Sequence, residues 1–368
     1  MTPRAPSIAS NVAALLAGRD AMRAEVAVLQ PADPFLDMAG EDMRRRMFLT
    51  ESETGATLCL RPEFTIPVCL DHIASGDGKA RRWYLGEVFR QRRGDGSEFH
   101  QAGVEDLGDT DEAAADARVL ADAIAVARLA CTECSVTLGD QAVFEAVVTA
   151  LGLPEGWRRR LARAFGIPGQ IEAALADLSA PKAAVHDDTL SALVEAGDEA
   201  GIAAHVLGEM KRAGLSPSAG RTPEDIARRT MEKAALAKVR LDPKALSALK
   251  DFLAIHVALD RAPAALSAFA IRSGLALDAA LAAFGARAEA IRREGLDTRI
   301  IRYDAAFGRP LDYYTGLVFE ISAPGADKPL AGGGRYDRLL TLLGAPSPIP
   351  GVGFSVWLDR LDQAGGRQ

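Results

Sequence analysis

Phe99-His100-Gln101-Ala102-Gly103-Val104-Glu105 is the stretch from which the fold of this chain is read. Side chains of an extended strand alternate between faces, so Gln101, Gly103 and Glu105 share one face and His100, Ala102 and Val104 the other. An amide and a carboxylate flanking a glycine leave a polar recess, although an ordinary solvated sheet face would carry the same pattern. Strand-like sequence also runs from Arg82 to Arg90, and Gly94-Asp95-Gly96 joins it to Glu98 through Leu107, which predicts a hairpin.

Upstream, apolar residues at helical spacing predict a helix from Ala9 to Leu29, stopped by Pro31 and Pro34, and Glu53-Thr54-Gly55 closes a hairpin between Met47–Thr50 and Thr57–Leu60. Downstream, Asp109 or Thr110 caps a helix reaching about Ala130, with a strand at Ser135–Leu138. From Leu153 to about Gly295 the chain is rich in Ala and Leu at helical spacing, with helix starts at Thr222-Pro223-Glu224-Asp225 and Asp242-Pro243. Strands resume at Thr298–Tyr303 and Tyr313–Ser322. Gly332-Gly333-Gly334 is read as a tight turn before a helix at Tyr336–Leu343, and Gly351 to Leu361 as a strand leading into a helix. The expectation is an α+β fold: a discontinuous antiparallel sheet flanked by helices, built from residues 1–150 and 296–368 and interrupted by a mainly helical insertion at 151–295.

With 368 residues, 48% of them hydrophobic, the chain can bury one large core and a smaller one. A net charge of −7 argues against a general grip on nucleic acid, and the short runs Arg44–Arg46, Arg90–Arg93 and Arg158–Arg160 read first as solvated faces. The first residues lack an export leader's pattern, and the apolar helices carry charges, so a soluble cytoplasmic protein is expected. Four cysteines, Cys59, Cys69, Cys131 and Cys134, fit free thiols in a reducing compartment. Cys131-Thr132-Glu133-Cys134 has no second pair and the five histidines lack metal-helix spacing, so neither a metal nor a cofactor is expected.

Two further clusters bear on chemistry. Arg61-Pro62-Glu63-Phe64-Thr65 is a strand end entering a capped helix, and in Arg309-Pro310-Leu311-Asp312-Tyr313-Tyr314-Thr315-Gly316 a strand would put Tyr314 and Gly316 on one face. Each alone is compatible with ordinary packing. Together they suit a zwitterionic amino acid, with Glu63 for the ammonium and Arg309 for the carboxylate. An imidazole side chain would find an acceptor and a ring-nitrogen partner in Glu105 and Tyr314.

These stretches resemble histidyl-tRNA synthetase. Leu60-Arg61-Pro62-Glu63 with Thr65, Trp83-Tyr84-Leu85-Gly86-Glu87-Val88-Phe89-Arg90, the 99–105 strand, Leu311-Asp312-Tyr313-Tyr314-Thr315-Gly316, Ala331-Gly332-Gly333-Gly334-Arg335-Tyr336-Asp337 and Val352-Gly353-Phe354 occur in the family's order. The resemblance implies a class II aminoacyl-tRNA synthetase-like core and histidine contacts at Glu63, Thr65, Arg90, Gln101, Glu105, Arg309, Tyr313 and Tyr314. Three departures argue against aminoacylation. Arg92 stands where the family has a glutamate at the ATP adenine, Trp357 stands where motif three has a glycine, and the chain stops at Gln368 without an anticodon-binding domain.

That combination is similar to the regulatory subunits of ATP phosphoribosyltransferase. The likeness implies no catalytic residues of its own, a short-form catalytic subunit as partner and L-histidine as effector in the first step of histidine biosynthesis. It further implies a homodimer within a hetero-oligomer, formed around Pro31, with neither tRNA nor membrane as partner. The alternative is a histidyl-tRNA synthetase-like ligase lacking the anticodon-binding domain.

Overall fold

In the computed structural model, residues 6–38, 41–92, 96–167, 169–179, 188–213, 222–309 and 313–366 are described. The predicted turn at Gly94-Asp95-Gly96 and the Pro310-Leu311-Asp312 segment lie wholly or partly outside them. The strands in chain order are β1 Met22–Arg23, β2 Leu29–Pro31, β3 Leu49–Glu51, β4 Thr57–Leu60, β5 Ala80–Phe89 and β6 Glu98–Leu107. They continue with β7 Ser135–Asp140, β8 His256–Ala258, β9 Ile301–Asp304, β10 Leu317–Ser322, β11 Ala331–Arg335 and β12 Gly351–Trp357.

Nine strands form one sheet in the order β1-β5-β6-β12-β11-β10-β7-β9-β8, and β2-β4-β3 form a second. The large sheet is antiparallel except where β1 pairs β5 and β7 pairs β9. Its middle follows the alternation read from the sequence. Tyr84 faces Gly103 and Gly86 faces Gln101 across β5 and β6, while Glu105 faces Gly353 across β6 and β12.

Several boundaries differ from the sequence expectation. The first helix is Ala9–Ala17 and ends at Gly18, whose N–H closes on Ala14 and Leu15 carbonyls; Asp20 then turns the chain at φ 51° into β1. Gly332-Gly333-Gly334 is no turn. It lies within β11, buried between β10 and β12, where Cβ atoms would strike neighbouring carbonyls and side chains. Residues 298–300 form a single 3₁₀ turn, so β9 starts at Ile301 rather than Thr298, and β10 starts at Leu317 rather than Tyr313. Asp111 caps the helix Glu112–Ala127 by accepting from the Ala114 N–H at 3.1 Å, because Asp109 is already bound to Lys79 and Arg118.

The chain divides into two compact units, 1–150 with 251–368, and 151–250. The second is helical: Thr222 starts Pro223–Lys238 by accepting the Asp225 N–H at 3.1 Å, and the Trp157 indole N–H donates to Leu236 O at 2.9 Å. The expected insertion reaches 295, yet 251–295 belong with the sheet. Arg287, on the helix Asp278–Arg293, supplies the reason: its Nε meets Asp116 at 2.5 Å and its Nη1 meets Asp140. Asp116 is wholly buried and also binds Arg335 of β11, at 2.9 Å from Nε. No described helix is long and apolar enough to cross a membrane.

Removing one member of such a network strands the others' charge in a low-dielectric interior. Asp116→Ala, which leaves Arg287 and Arg335 sharing fewer carboxylates, is expected to destabilise the fold by about 3 to 5 kcal/mol in urea denaturation. A loss below about 1 kcal/mol would show that the network is replaceable by water.

Candidate amino-acid-binding site

One face of the large sheet carries the site, and glycines make it. Side chains lie flat across the strands wherever a partner residue has no Cβ. The Arg61 guanidinium lies over Gly86, where a Cβ would be 2.8 Å from Nη2, and the Tyr314 ring lies over Gly334, 2.9 Å from Cε1. A Cβ at Gly353 would collide with the Glu105 carboxylate, one at Gly103 with the Phe354 carbonyl and the Tyr84 ring, and one at Gly332 with the Arg309 guanidinium.

Glu105 is fully buried at the centre of this surface. Its Oε1 accepts from Thr65 Oγ1 at 2.7 Å and lies 3.3 Å from the Tyr84 hydroxyl, while Oε2 accepts from the Tyr336 hydroxyl. Burial pushes its carboxyl up to about 8, although the hydroxyls from Tyr336 and Thr65 pull the other way. Glu63 caps the helix Thr65–Ser75, accepting from Thr65 N at 2.6 Å and Ile66 N at 2.9 Å. Burial raises its pKa too, and the cap hydrogen bonds and Arg90 oppose that rise.

Arg90 donates from Nε to Pro62 O at 2.6 Å, and burial lowers its pKa to about 10 despite nearby Glu63. Tyr313 and Tyr314 stand 5.1 Å apart between ring centroids, and Tyr313 meets Tyr336 edge-on at 6.0 Å. Burial raises both tyrosine pKa values, with Glu105 adding to the rise. Gln101 joins the group by register, buried and opposite Gly86 and Trp357.

The eight residues predicted from sequence therefore fall within one unit and largely touch or electrostatically sense one another. Two details depart from expectation. Tyr313–Gly316 precede β10, so strand alternation does not apply to Tyr314, which reaches the site by lying over Gly334. Arg309 is engaged: its Nη1 donates to Glu320 Oε1 at 2.8 Å, while its Nε is buried without a partner. A ligand carboxylate at Arg309 would share that guanidinium with Glu320.

Sequence reasoning missed Tyr84, Tyr336 and Glu320. Tyr84 was within reach, because the hairpin register sets it opposite Gly103. Glu320 sits opposite Gly332, a pairing visible only if Gly332 is recognised as strand. Tyr336 is a non-local partner with no signal in the local pattern. Among the described residues, no cluster of three or more His, Cys, Asp or Glu could hold a metal.

The raised Glu105 pKa fixes a pH dependence. The unfolded carboxyl titrates near 4.5 and the folded one near 8, so its contribution to stability is complete below 4.5 and is lost as pH rises through 8. Glu105→Gln has no such titration. Its melting temperature relative to the parent's is expected to climb between pH 4.5 and 8, as followed by scanning calorimetry; a pH-independent difference would refute the burial argument.

The sequence pattern of the family described as histidyl-tRNA synthetase matches residues 23–219 and 200–361. Among solved structures, a protein described as an ATP phosphoribosyltransferase regulatory subunit/histidyl-tRNA synthetase from Bacillus halodurans is similar in fold. Its TM-score is 0.66 at 22% identity, covering 99% of this chain and 81% of that one. Histidyl-tRNA synthetase from Nostoc has a TM-score of 0.64 at 16% identity, covering 96% of this chain and 69% of that one. A Mesorhizobium japonicum protein named ATP phosphoribosyltransferase regulatory subunit is 64% identical over 366 residues, 98% of each chain. A Rhizobium meliloti protein of the same name is 57% identical over 98% of this chain and 97% of its own. With identity of this order along nearly the whole length of both chains, the protein belongs to the family of ATP phosphoribosyltransferase regulatory subunits, built on the histidyl-tRNA synthetase-like fold.

Proposed function

We propose that the chain has no catalysis of its own and regulates a short-form ATP phosphoribosyltransferase catalytic subunit, with L-histidine in the pocket around Glu105 as effector. The observation that carries this reading is 64% identity, over 98% of both chains, to a protein named as such a regulatory subunit. The partner joins ATP to phosphoribosyl pyrophosphate in the first step of histidine biosynthesis; the chain raises that activity, and histidine lowers it. Glu63 takes the histidine ammonium, Arg309 the carboxylate, and Glu105 with Tyr314 the imidazole, with Thr65, Arg90, Gln101 and Tyr313 completing the wall. The chain works as a homodimer inside a hetero-oligomer. Exposed Val28, Leu29 and Leu49 beside the small sheet support a covered surface there.

The nucleotide side of the pocket supports the absence of adenylate chemistry. Arg92 Cζ is 3.8 Å from the Phe99 ring centroid, and Arg360 Cζ is 4.1 Å from that of Trp357. Both residues that depart from the synthetase pattern thus take part in cation–π stacks, which occupy planar faces a nucleobase would need. The ligase alternative has the shared fold and the histidyl-tRNA synthetase sequence pattern in its favour, both of which the regulatory subunits share.

Feedback requires histidine to bind the inhibited and active assemblies with different affinity. Mixing the chain with a purified short-form catalytic subunit is expected to raise phosphoribosyl-ATP formation, and histidine to lower it. With coupling of about 1 to 3 kcal/mol, the partner should change histidine affinity by roughly 5- to 150-fold. Equal rates with and without the chain, where sedimentation records a complex, would reject the regulatory role. Histidine-dependent ATP–pyrophosphate exchange at synthetase rates would favour the ligase.

A further inference from the structure

The Cys131-Thr132-Glu133-Cys134 motif has no part in the amino-acid site, and the fold gives it a setting of its own. The helix Glu112–Ala127 winds down through Cys131, whose N–H donates to Ala127 O at 3.0 Å. Thr132 and Glu133 then turn the chain into β7 at Ser135. Residues at the two ends of such a turn stand within about 7 Å between Cα atoms, and a disulfide spans about 4.4 to 6.8 Å. Both cysteines are free thiols here, and both are buried.

The two cysteines differ in their surroundings. Cys131 lines a cavity of about 520 Å³ between this turn, the 323–330 segment and the helix Leu358–Gly365, a volume of the size that holds small organic ligands. Charges of both signs line it, Glu133 and Asp327 with Lys328 and Arg360, and none of the eight residues of the amino-acid site does. Cys134 is not part of the lining. Burial pushes its thiol up, the Arg128 guanidinium opposes that rise, and Cys131 is near enough to add to it. Cys59 and Cys69 lie elsewhere: burial pushes the first up to about 11 and the second well above the ordinary thiol range.

We infer that Cys131 and Cys134 are a thiol–disulfide exchange site, at which a small organic disulfide carrying charges of both signs, such as glutathione disulfide, converts the pair into an intramolecular bridge. The Cys131 thiolate attacks one sulfur of the oxidant in the cavity, which breaks the oxidant's S–S bond, forms a mixed disulfide and expels a first small thiolate. Cys134 then gives up its proton and attacks the Cys131 sulfur, expelling the second. Two electrons pass from the protein thiols to the small disulfide, and the two protons end on the released thiols. Cys131 reacts first because it lines the cavity. Cys134, whose buried thiol reaches the thiolate only in small part, serves to resolve the mixed disulfide. The bridge joins the end of the helix that carries Asp116 to the strand that ends in Asp140, and these two carboxylates hold Arg287.

The test equilibrates the reduced full chain with glutathione and glutathione disulfide in a series of ratios, quenches with acid, alkylates the free thiols and locates every modification by tandem mass spectrometry. The 131–134 segment is expected to lose both alkylatable thiols and two hydrogens together, at ratios that leave Cys59 and Cys69 alkylated. Cys134→Ser is expected to stop at one glutathione on Cys131, and Cys131→Ser to leave Cys134 without glutathione under the same conditions. Should either variant fail to fold, the time course of the parent carries the same comparison, with glutathione on Cys131 preceding the bridge. If all four thiols stay alkylatable until urea is added, or glutathione arrives first at Cys134, the inference is overturned. A bridge that forms only between two chains overturns it as well.

Discussion

The lack of a side chain at Gly353 is the constraint on which the site depends. Glu105 and Gly353 are register partners on neighbouring strands, and the carboxylate fills the space a Cβ would claim. Laid flat there, it comes within reach of hydroxyls from the helix Thr65–Ser75, from β5 and from the residue after β11. Gly86, Gly103, Gly332 and Gly334 repeat the device across β5, β6 and β11. Glycine inside a strand costs roughly 0.5 to 1 kcal/mol relative to alanine. Gly103, Gly332, Gly334 and Gly353 lie in strands with a ladder on each side, whose pairing helps to offset that loss.

The opposite side of the same strands holds the wall of the pocket still. Arg335 follows Gly334 and so points away from the site, into Asp116. Its backbone carbonyl accepts from Thr315 N at 2.8 Å, and its Nη1 binds Asp337 at 2.6 Å, which in turn accepts from Gly351 N at 3.0 Å. The segment bearing Tyr313 and Tyr314 and the residue Tyr336 are thereby anchored to one arginine. Pocket geometry and the buried ion network are two faces of a single piece of sheet.

Much of this was legible locally. Period-two alternation at 99–105 gave the correct face for Gln101 and Glu105, and both hairpins fall within a few residues of their predicted bounds. The misreadings have a common cause in non-local partners. Three successive glycines look like a turn until their neighbours Arg309, Tyr314 and Phe354 are seen packed against them. Likewise 251–295 read as more of the helical block, since nothing in its periodicity reveals that Arg287 meets Asp116 and Asp140. Glu63, expected from its charge to meet a ligand ammonium, is found capping a helix by accepting from two backbone N–H groups, a part its local sequence did not assign to it.

The electrostatics of the pocket give its occupancy a consequence beyond the ligand itself. Burial raises the Glu105 carboxyl to about 8, so it keeps its proton to higher pH than an exposed carboxylate does. A hydrogen-bond donor brought to this carboxylate would favour its ionised form and so displace its proton. Tyr84 can accommodate either state, donating to Phe354 O when Glu105 carries the proton and to Glu105 when it does not. Any change in that charge is felt by Tyr313, Tyr314 and Tyr336, whose ionisation already responds to Glu105. Those groups lie on segments bound to the Arg335 network, so a ligand's differential affinity for two arrangements of the pocket is also a differential affinity for two arrangements of that wall. A pocket that had kept a permanent counter-ion beside Glu105 would lack this difference, and binding would leave the surrounding charge unchanged.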